Sequence, residues 1–376
     1  MKRKRVLLIS FSPIASDARV LKQVRRFAGE YELFTLGYGQ APDGVAGHFQ
    51  VPEDFPVWRY DRWAVALRRY ERAYWSNAAI AWSVQSLRGS RWDAVLANDI
   101  DAVGLALSLD VRAGVHADLH EYAPRQKEDV LRWRLFVGPF ISWMCRRFVT
   151  RAASVTTVGQ GIADEYAAKY GIAARVVTNA APYSQLAPGE VHRPIRLVHS
   201  GAALRDRNIS AILDAVEATS APVELALYLT PNDPVFVAEL RERALRSDRI
   251  TLHDPVPYDE LSGTLNAHDV GIHILPPVNF NNRWALPNKF FDYVQARLGV
   301  IIGPSPEMAR VLREHGFGAV AGGFSAAELT AVLDRLDPAT IAGWKRAADA
   351  AASSLSSEAQ VEIWADALSS LMDASR

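Results

Sequence analysis

Short apolar runs rich in β-branched residues alternate with helix-length amphipathic stretches along almost the whole chain. That alternation indicates parallel sheets covered by helices. The expected strands are residues 5–11, 32–37, 94–98, 115–119, 154–158 and 175–179, followed by 195–200, 223–229, 250–252, 270–275, 300–303 and 318–321. A chain of 376 residues exceeds what one core usually serves. Ala180-Ala181-Pro182-Tyr183-Ser184-Gln185-Leu186-Ala187-Pro188-Gly189-Glu190, with Pro194 beyond it, has the composition of a linker. The expectation is an α/β chain of two facing Rossmann-like, doubly wound parallel-sheet domains, residues 1–185 and 186–355. Residues 340–376 read as helical, and 356–376 are expected to pack back on the first domain. No repeat of fixed period and no low-complexity tract interrupts this pattern.

Composition excludes several classes of protein. Hydrophobic content of 49% with 22% charged residues belongs to a folded chain. Residues 1–190 hold 25 Lys and Arg against 19 Asp and Glu, and the remainder 17 against 23. This mild polarity favours an anionic surface for the first half but is far too weak to argue for nucleic acid. Cys145 is the single cysteine, so no internal disulfide or cysteine metal cluster is expected, and a reducing cytoplasm is the expected location. The start, Met1-Lys2-Arg3-Lys4-Arg5-Val6-Leu7-Leu8-Ile9-Ser10, has too short an apolar core for a secretory signal, and Ser12-Pro13 ends it. It reads as a first strand entering a loop. No run approaches the roughly 20 apolar residues of a membrane span.

Ligands of open parallel sheets bind beyond the carboxyl ends of the strands, so residues just after strands are the candidates. Leu286-Pro287-Asn288-Lys289-Phe290-Phe291-Asp292-Tyr293 reads as a helix start with Pro287 in the first helical position. Its free N–H groups and the helix dipole favour a phosphate, Lys289 adds an ammonium, and Asp292 can accept from nearby hydroxyls. Ser200-Gly201-Ala202-Ala203-Leu204-Arg205-Asp206-Arg207-Asn208 also follows a strand. There Gly201 lets backbone approach a ligand, and Arg205 and Arg207 can clamp phosphate oxygens. After the first strand, Ser16 or Asp17 either caps the next helix or reaches substrate. The absence of glycine from that loop removes the dinucleotide fingerprint. In Asp118-Leu119-His120-Glu121-Tyr122, His120 and Glu121 either serve a ligand or satisfy each other and cap a helix. Asn98-Asp99-Ile100-Asp101 offers polar strand-end groups, with capping favoured over a metal site. Two basic, aromatic helices are expected at 58–75 and 132–147, suited either to an anionic lipid surface or to core packing with snorkelling arginines.

With Gly299-Val300-Ile301-Ile302 following it, the 286–293 segment resembles the donor site of the large group 1, family 4-like, retaining glycosyltransferases of GT-B fold. Supporting matches are Asp17-Ala18-Arg19-Val20, Ala97-Asn98-Asp99, Asp118-Leu119-His120-Glu121, and His199-Ser200-Gly201 with Arg207. The resemblance implies transfer of a sugar from a nucleotide-diphosphate sugar to a saccharide, lipid-linked or small-molecule acceptor, with retention and with neither metal nor cofactor. It implies that Lys289 and Arg207 hold the diphosphate, with Gly201, Arg205, Pro287 and Asn288 around them. Asp292, where glutamate is usual, would bind the ribose, the backbone near Val256 the base, and the 279–285 loop with Asn282 the transferred sugar. His120 would lie under that sugar as a catalytic group beside Lys289 and Arg207. Asp17, Arg19, Asn98, Asp99 and Glu121 would meet the acceptor. Trp284 stands where many members have a second acidic residue. The alternatives are a nucleotide-sugar epimerase of the same fold and a non-catalytic sugar-nucleotide-binding subunit.

Overall fold

The computed structural model describes residues 3–374. The first two and last two residues of the terminal segments named above lie outside the described residues. From the N-terminus run β1 (Arg5–Pro13), β2 (Glu32–Tyr38), β3 (Gly47–Gln50), β4 (Arg91–Trp92), β5 (Ala94–Asn98), β6 (Asp110–Val111), β7 (Val115–Leu119), β8 (Ser154–Thr157) and β9 (Ala174–Val176). The second set is β10 (Ile195–Ala202), β11 (Val223–Thr230), β12 (Ile250–His253), β13 (Val270–His273), β14 (Gly299–Ile302) and β15 (Gly318–Val320). A seven-stranded sheet has the order β3-β2-β1-β5-β7-β8-β9, a six-stranded sheet the order β12-β11-β10-β13-β14-β15, and β4 pairs with β6 in a small ladder. Every pairing in the two large sheets is parallel. The chain steps outward from β1 through β2 to β3 and then returns to the other side at β5. In the second sheet it reverses in the same way between β10 and β13.

Contacts divide the chain into two compact units. The first comprises residues 1–178, 279–281 and 360–376, the second 179–278 and 282–359. In the second unit, neighbouring residues along a strand enter different cores: Leu197 and Ile301 join one buried cluster, while Val198, Val300 and Ile302 join another. Successive strand side chains point to opposite faces, so this sheet is buried on both. The first unit buries Val6, Leu8, Leu33 and Leu96 with Val20, Val24 and Phe27 of the Ala18–Phe27 helix. Trp364, Leu368 and Met372 of the Ser357–Ala374 helix complete that core, so the C-terminal helix returns to the first sheet as expected. Trp364 donates its indole N–H to Thr156 Oγ1 at 3.2 Å, and the Arg19 guanidinium lies 4.8 Å from its ring.

Two local expectations are corrected and a third is refined. Residues 58–75 do not form one helix: they break into Arg62–Ala66 and Tyr70–Trp75, with Arg68 between them at φ 55°. Residues 132–147 are helical throughout as expected, with a π-helical turn at Trp133–Val137 ahead of the helix Gly138–Arg147. Pro287 is not the first helical residue but the cap, at φ −73° and ψ 153°, and the helix runs Asn288–Gln295. Proline has no N–H to satisfy in either place. Among the described residues no helix is long and apolar enough to cross a membrane.

Candidate functional site

At the carboxyl end of the second sheet, the reversal between β10 and β13 brings two loops together. Gly271 is required there, because a Cβ would lie 2.4 Å from the Tyr293 ring. With the ring seated on β13, the Tyr293 hydroxyl donates to the Ile272 carbonyl and accepts from the Ser200 N–H, each at 3.3 Å. These bonds fix the Asn288–Gln295 helix to both central strands. One turn earlier, Lys289 then lies over Gly201, whose φ of 114° suits glycine and whose added Cβ would stand 3.0 Å from Lys289 Nζ. The N-terminus of this helix has no side-chain cap, so its first N–H groups are available to an anion.

Two buried histidines adjoin this amine. His199 Nδ1 lies 2.8 Å from the Ile272 carbonyl, which can only accept, so Nδ1 carries the proton and Nε2 is the lone-pair nitrogen. Lys289 Nζ is 3.5 Å from that Nε2 and donates to it. His273 ends β13 with neither ring nitrogen hydrogen-bonded, and its ring stacks 6.1 Å from that of His199. Burial, reinforced by the Lys289 charge, holds His199 down at about 3, and the same causes hold His273 well below the usual histidine range. Both are therefore neutral near pH 7. Burial and the neighbouring Arg207 lower Lys289 to about 8. Lys289 forms no ion pair with a carboxylate among the described residues, and Arg207 has Asp206 at 3.6 Å. Asp292 is buried and accepts from the half-exposed Tyr258 hydroxyl at 3.4 Å. The arrangement suits an anion flanked by hydroxyl groups.

The first sheet carries a second polar cluster at its own reversal. Asp118 is fully buried and accepts from Arg19 Nε and Nη2 at 2.8 and 2.7 Å, from Gln23 at 2.9 Å and from Thr156 at 2.6 Å. Burial opposes its charge, but Arg19 and His120 together hold its carboxyl well below the usual range. His120 Nδ1 lies 3.2 Å from Asp99 Oδ2, while its Nε2 is 3.2 Å from Asn98 Oδ1 and 3.4 Å from Asp118 Oδ2. Burial works against the imidazolium, yet Asp99 and Asp118 raise His120 to about 10. His120 is thus a charged donor whose two N–H groups are both engaged. Asp99 holds φ 63° and ψ 164°, a strained conformation for a non-glycine residue that costs about 1–3 kcal/mol and collects at functional sites. Burial and then Asp99 raise Glu121 to about 7. Glu121 accepts from Gln126 and, at 3.3 Å, from Asn281. His120 and Glu121 therefore do not satisfy each other.

The structure brings Gly201, Arg207, Lys289 and Asp292 onto one edge of the second sheet. Pro287 and the exposed Asn288 stand at the adjoining helix start. Val256 lies in the coil after β12, and Asn282 in the short Phe280–Arg283 helix. Arg205 departs from expectation: its guanidinium packs over Phe236 and pairs with Glu239 at 2.6 Å and Asp233 at 3.7 Å. In the first unit Asn98, Asp99, His120 and Glu121 come together. Arg19, expected at the acceptor, is instead the buried partner of Asp118 and also donates to the Val177 carbonyl at 2.9 Å. Asp17 caps the Ala18–Phe27 helix, accepting from the Arg19 and Val20 N–H groups. Among the described residues no three His, Cys, Asp or Glu side chains gather as a metal site. His273 escaped the sequence reading, although a histidine inside the apolar run Val270-Gly271-Ile272-His273-Ile274-Leu275 was its signal.

No protein-family model and no curated protein matches the sequence. Solved structures match it across its length. HepE of Anabaena, solved in complex with UDP-glucose, shares 14% identity over 98% of this chain and 100% of its own, with a TM-score of 0.69. Sucrose-phosphate synthase of Thermosynechococcus elongatus shares 12% over 99% and 100%, at 0.67. The α,α-trehalose 6-phosphate synthase of Burkholderia multivorans shares 11% over 100% of both chains, at 0.69. The two parallel sheets with their returning C-terminal helix are those of the GT-B fold.

Proposed function

We propose that the chain is a nucleotide-sugar-dependent glycosyltransferase, with the second unit binding the donor and the first the acceptor. The observation that carries the reading is the group at the second sheet's edge: Lys289 over Gly201, beside Arg207, an uncapped helix N-terminus and two neutral histidines. A sugar leaving a nucleoside diphosphate puts new negative charge on the departing phosphate. Pre-set cations and helix N–H groups stabilise that charge where it develops, so no metal is required in this proposal. Asp292, held by Tyr258, accepts from the ribose hydroxyls, and the backbone near Val256 meets the base. His273 stays neutral and buried near Lys289 and Arg207, so it adds no charge that would compete with the diphosphate. The HepE complex with UDP-glucose supports a uridine nucleotide as the first donor to test.

In the first unit, His120 supplies a fixed positive charge rather than a base. Glu121, held near neutrality, accepts from an acceptor hydroxyl, with Asn98 and Asp99 beside it. Retention of configuration and a saccharide, lipid-linked or small-molecule acceptor complete the reading, with the work done in the cytoplasm. The epimerase alternative calls for an acid–base pair of carboxylates, and Asp292 is the single carboxylate among the residues assigned to the donor.

A thermal-shift screen with UDP, GDP, dTDP and their sugars tests the proposal, because a ligand of the native state raises the melting temperature. One nucleotide is expected to stabilise the protein. Lys289→Ala is expected to abolish that shift and to lower transfer by about 100-fold or more. Because Lys289 loses its charge above about pH 8, nucleotide affinity is expected to fall as pH rises through that value. No shift with any nucleotide, or an unchanged Lys289→Ala variant, overturns the assignment.

A further inference from the structure

The two basic, aromatic segments of the first unit fold beside one another and leave apolar side chains facing water. The Arg62–Ala66 helix packs next to the π-helical turn Trp133–Val137. Their inner sides are tied to the Gly138–Arg147 helix by aromatic contacts: Tyr60 and Tyr70 meet Phe140 at 4.8 and 5.5 Å between ring centres, and Tyr70 meets Trp143 at 5.8 Å. Core packing is thus already supplied by Tyr60, Tyr70, Phe140 and Trp143. The outward side chains have no such role. Trp58 is 75% exposed and Trp63 80%, and Leu67, Leu131, Leu135 and Phe136 are exposed with them. Large apolar residues gathered on one face mark an interaction surface, whereas the same residues scattered singly would not.

Charge identifies the partner. Arg59, Arg62, Arg68, Arg69, Arg132 and Arg134 are all exposed, and none pairs with a carboxylate among the described residues. Arg72 is held by Asp61 at 3.9 Å and Arg147 by Glu71 at 2.8 Å, so the chain neutralises other arginines of these segments but not these six. Arg134 also lines a cavity of about 580 Å³, where Arg125 is paired with Glu128 and Glu165 while Arg146 and Lys169 add further positive charge. Tryptophan and leucine ringed by unpaired arginine match the boundary of an anionic bilayer. There the indoles and leucines enter the acyl region while guanidinium groups meet lipid phosphates.

We propose that this face of the first unit docks on an anionic lipid surface, with Trp58, Trp63, Leu67, Leu135 and Phe136 inserted and the arginines on the headgroups. This docking uses none of the residues assigned to donor or acceptor, so it stands or falls apart from the proposed reaction.

The test is flotation of the full chain with vesicles of phosphatidylglycerol in phosphatidylcholine, against vesicles of phosphatidylcholine alone. The protein is expected to float with the anionic vesicles at low salt and to be released at high salt. The combined variant Trp63→Ser, Leu67→Ser, Leu135→Ser alters only exposed positions and is expected to weaken flotation by about tenfold or more. Quenching by brominated lipid gives a second readout: the quenched share of fluorescence should drop in Trp63→Phe. Three results overturn the proposal: no flotation at low salt, equal flotation of the triple variant, or a dimer that the triple variant dissociates while vesicles bind no protein.

Discussion

His120 is expected to keep its proton far above the usual histidine range, and the size of the effect follows from its surroundings. Two unit charges about 4 Å apart attract by about 4 kcal/mol at an effective dielectric near 20. His120 has Asp99 at 3.2 Å and Asp118 at 3.4 Å, and burial removes only part of that attraction. A rise from the ordinary value near 6.5 to about 10, at about 1.4 kcal/mol per unit, corresponds to about 4–5 kcal/mol in favour of the folded imidazolium. Because the folded value lies above the unfolded one, this contribution is complete below about pH 6.5 and is lost as pH rises through about 10. Histidine ring NMR over a pH titration measures it. The chain has nine histidines, and His120→Asn identifies the signal by its disappearance. Asp99→Asn should bring the midpoint down by about one to two units, since the Asp99 side chain is half exposed and water screens part of its field. A wild-type midpoint near 6.5, or one unmoved by Asp99→Asn, rules out a charged His120 held by Asp99.

Three further outcomes follow from the geometry. Asp118→Asn leaves the Arg19 guanidinium buried without its carboxylate and is expected to destabilise the first unit by about 3–5 kcal/mol, read from urea unfolding. Gly201→Ala forces a side chain into φ 114° and displaces Lys289 from its place, so nucleotide affinity measured by calorimetry should fall by about tenfold while circular dichroism stays unchanged. Trp364→Ala empties a site in the first core and is expected to cost about 3–5 kcal/mol in the same unfolding assay.

Strand positions were legible wherever an apolar run met polar residues at both ends. Residues 94–98 and 115–119 became β5 and β7 with the expected bounds. β3 escaped because Gly47-His48-Phe49-Gln50 is a short edge strand with no apolar run to announce it. The break near Arg68 escaped for a different reason: periodicity records which side chains are apolar, not that the backbone between them reverses. Around the site, Gly201, Arg207, Lys289 and Asp292 were legible because each follows a strand or opens a helix. Arg19 and Arg205 satisfied the same rule, yet their guanidinium groups turn to Asp118 and Glu239, partners too distant along the chain for a local pattern to disclose. Long-range ion pairs and ligand contacts draw on the same residue types at the same strand ends, so only three-dimensional placement separates them.

Trp364, Leu368 and Met372 come late in the chain, yet they fill the core built on β1. On a ribosome the polypeptide emerges from its N-terminal end, so the first sheet spends the synthesis of the whole second unit without its last three large side chains. Its apolar wall near Val6 and Leu8 stays open to chaperones during that interval. Closure of that wall is a late event of very high contact order, whereas residues 179–278 and 282–359 are all present before it happens. The order of folding is therefore expected to run opposite to the order of translation, with the second unit reaching its native state first.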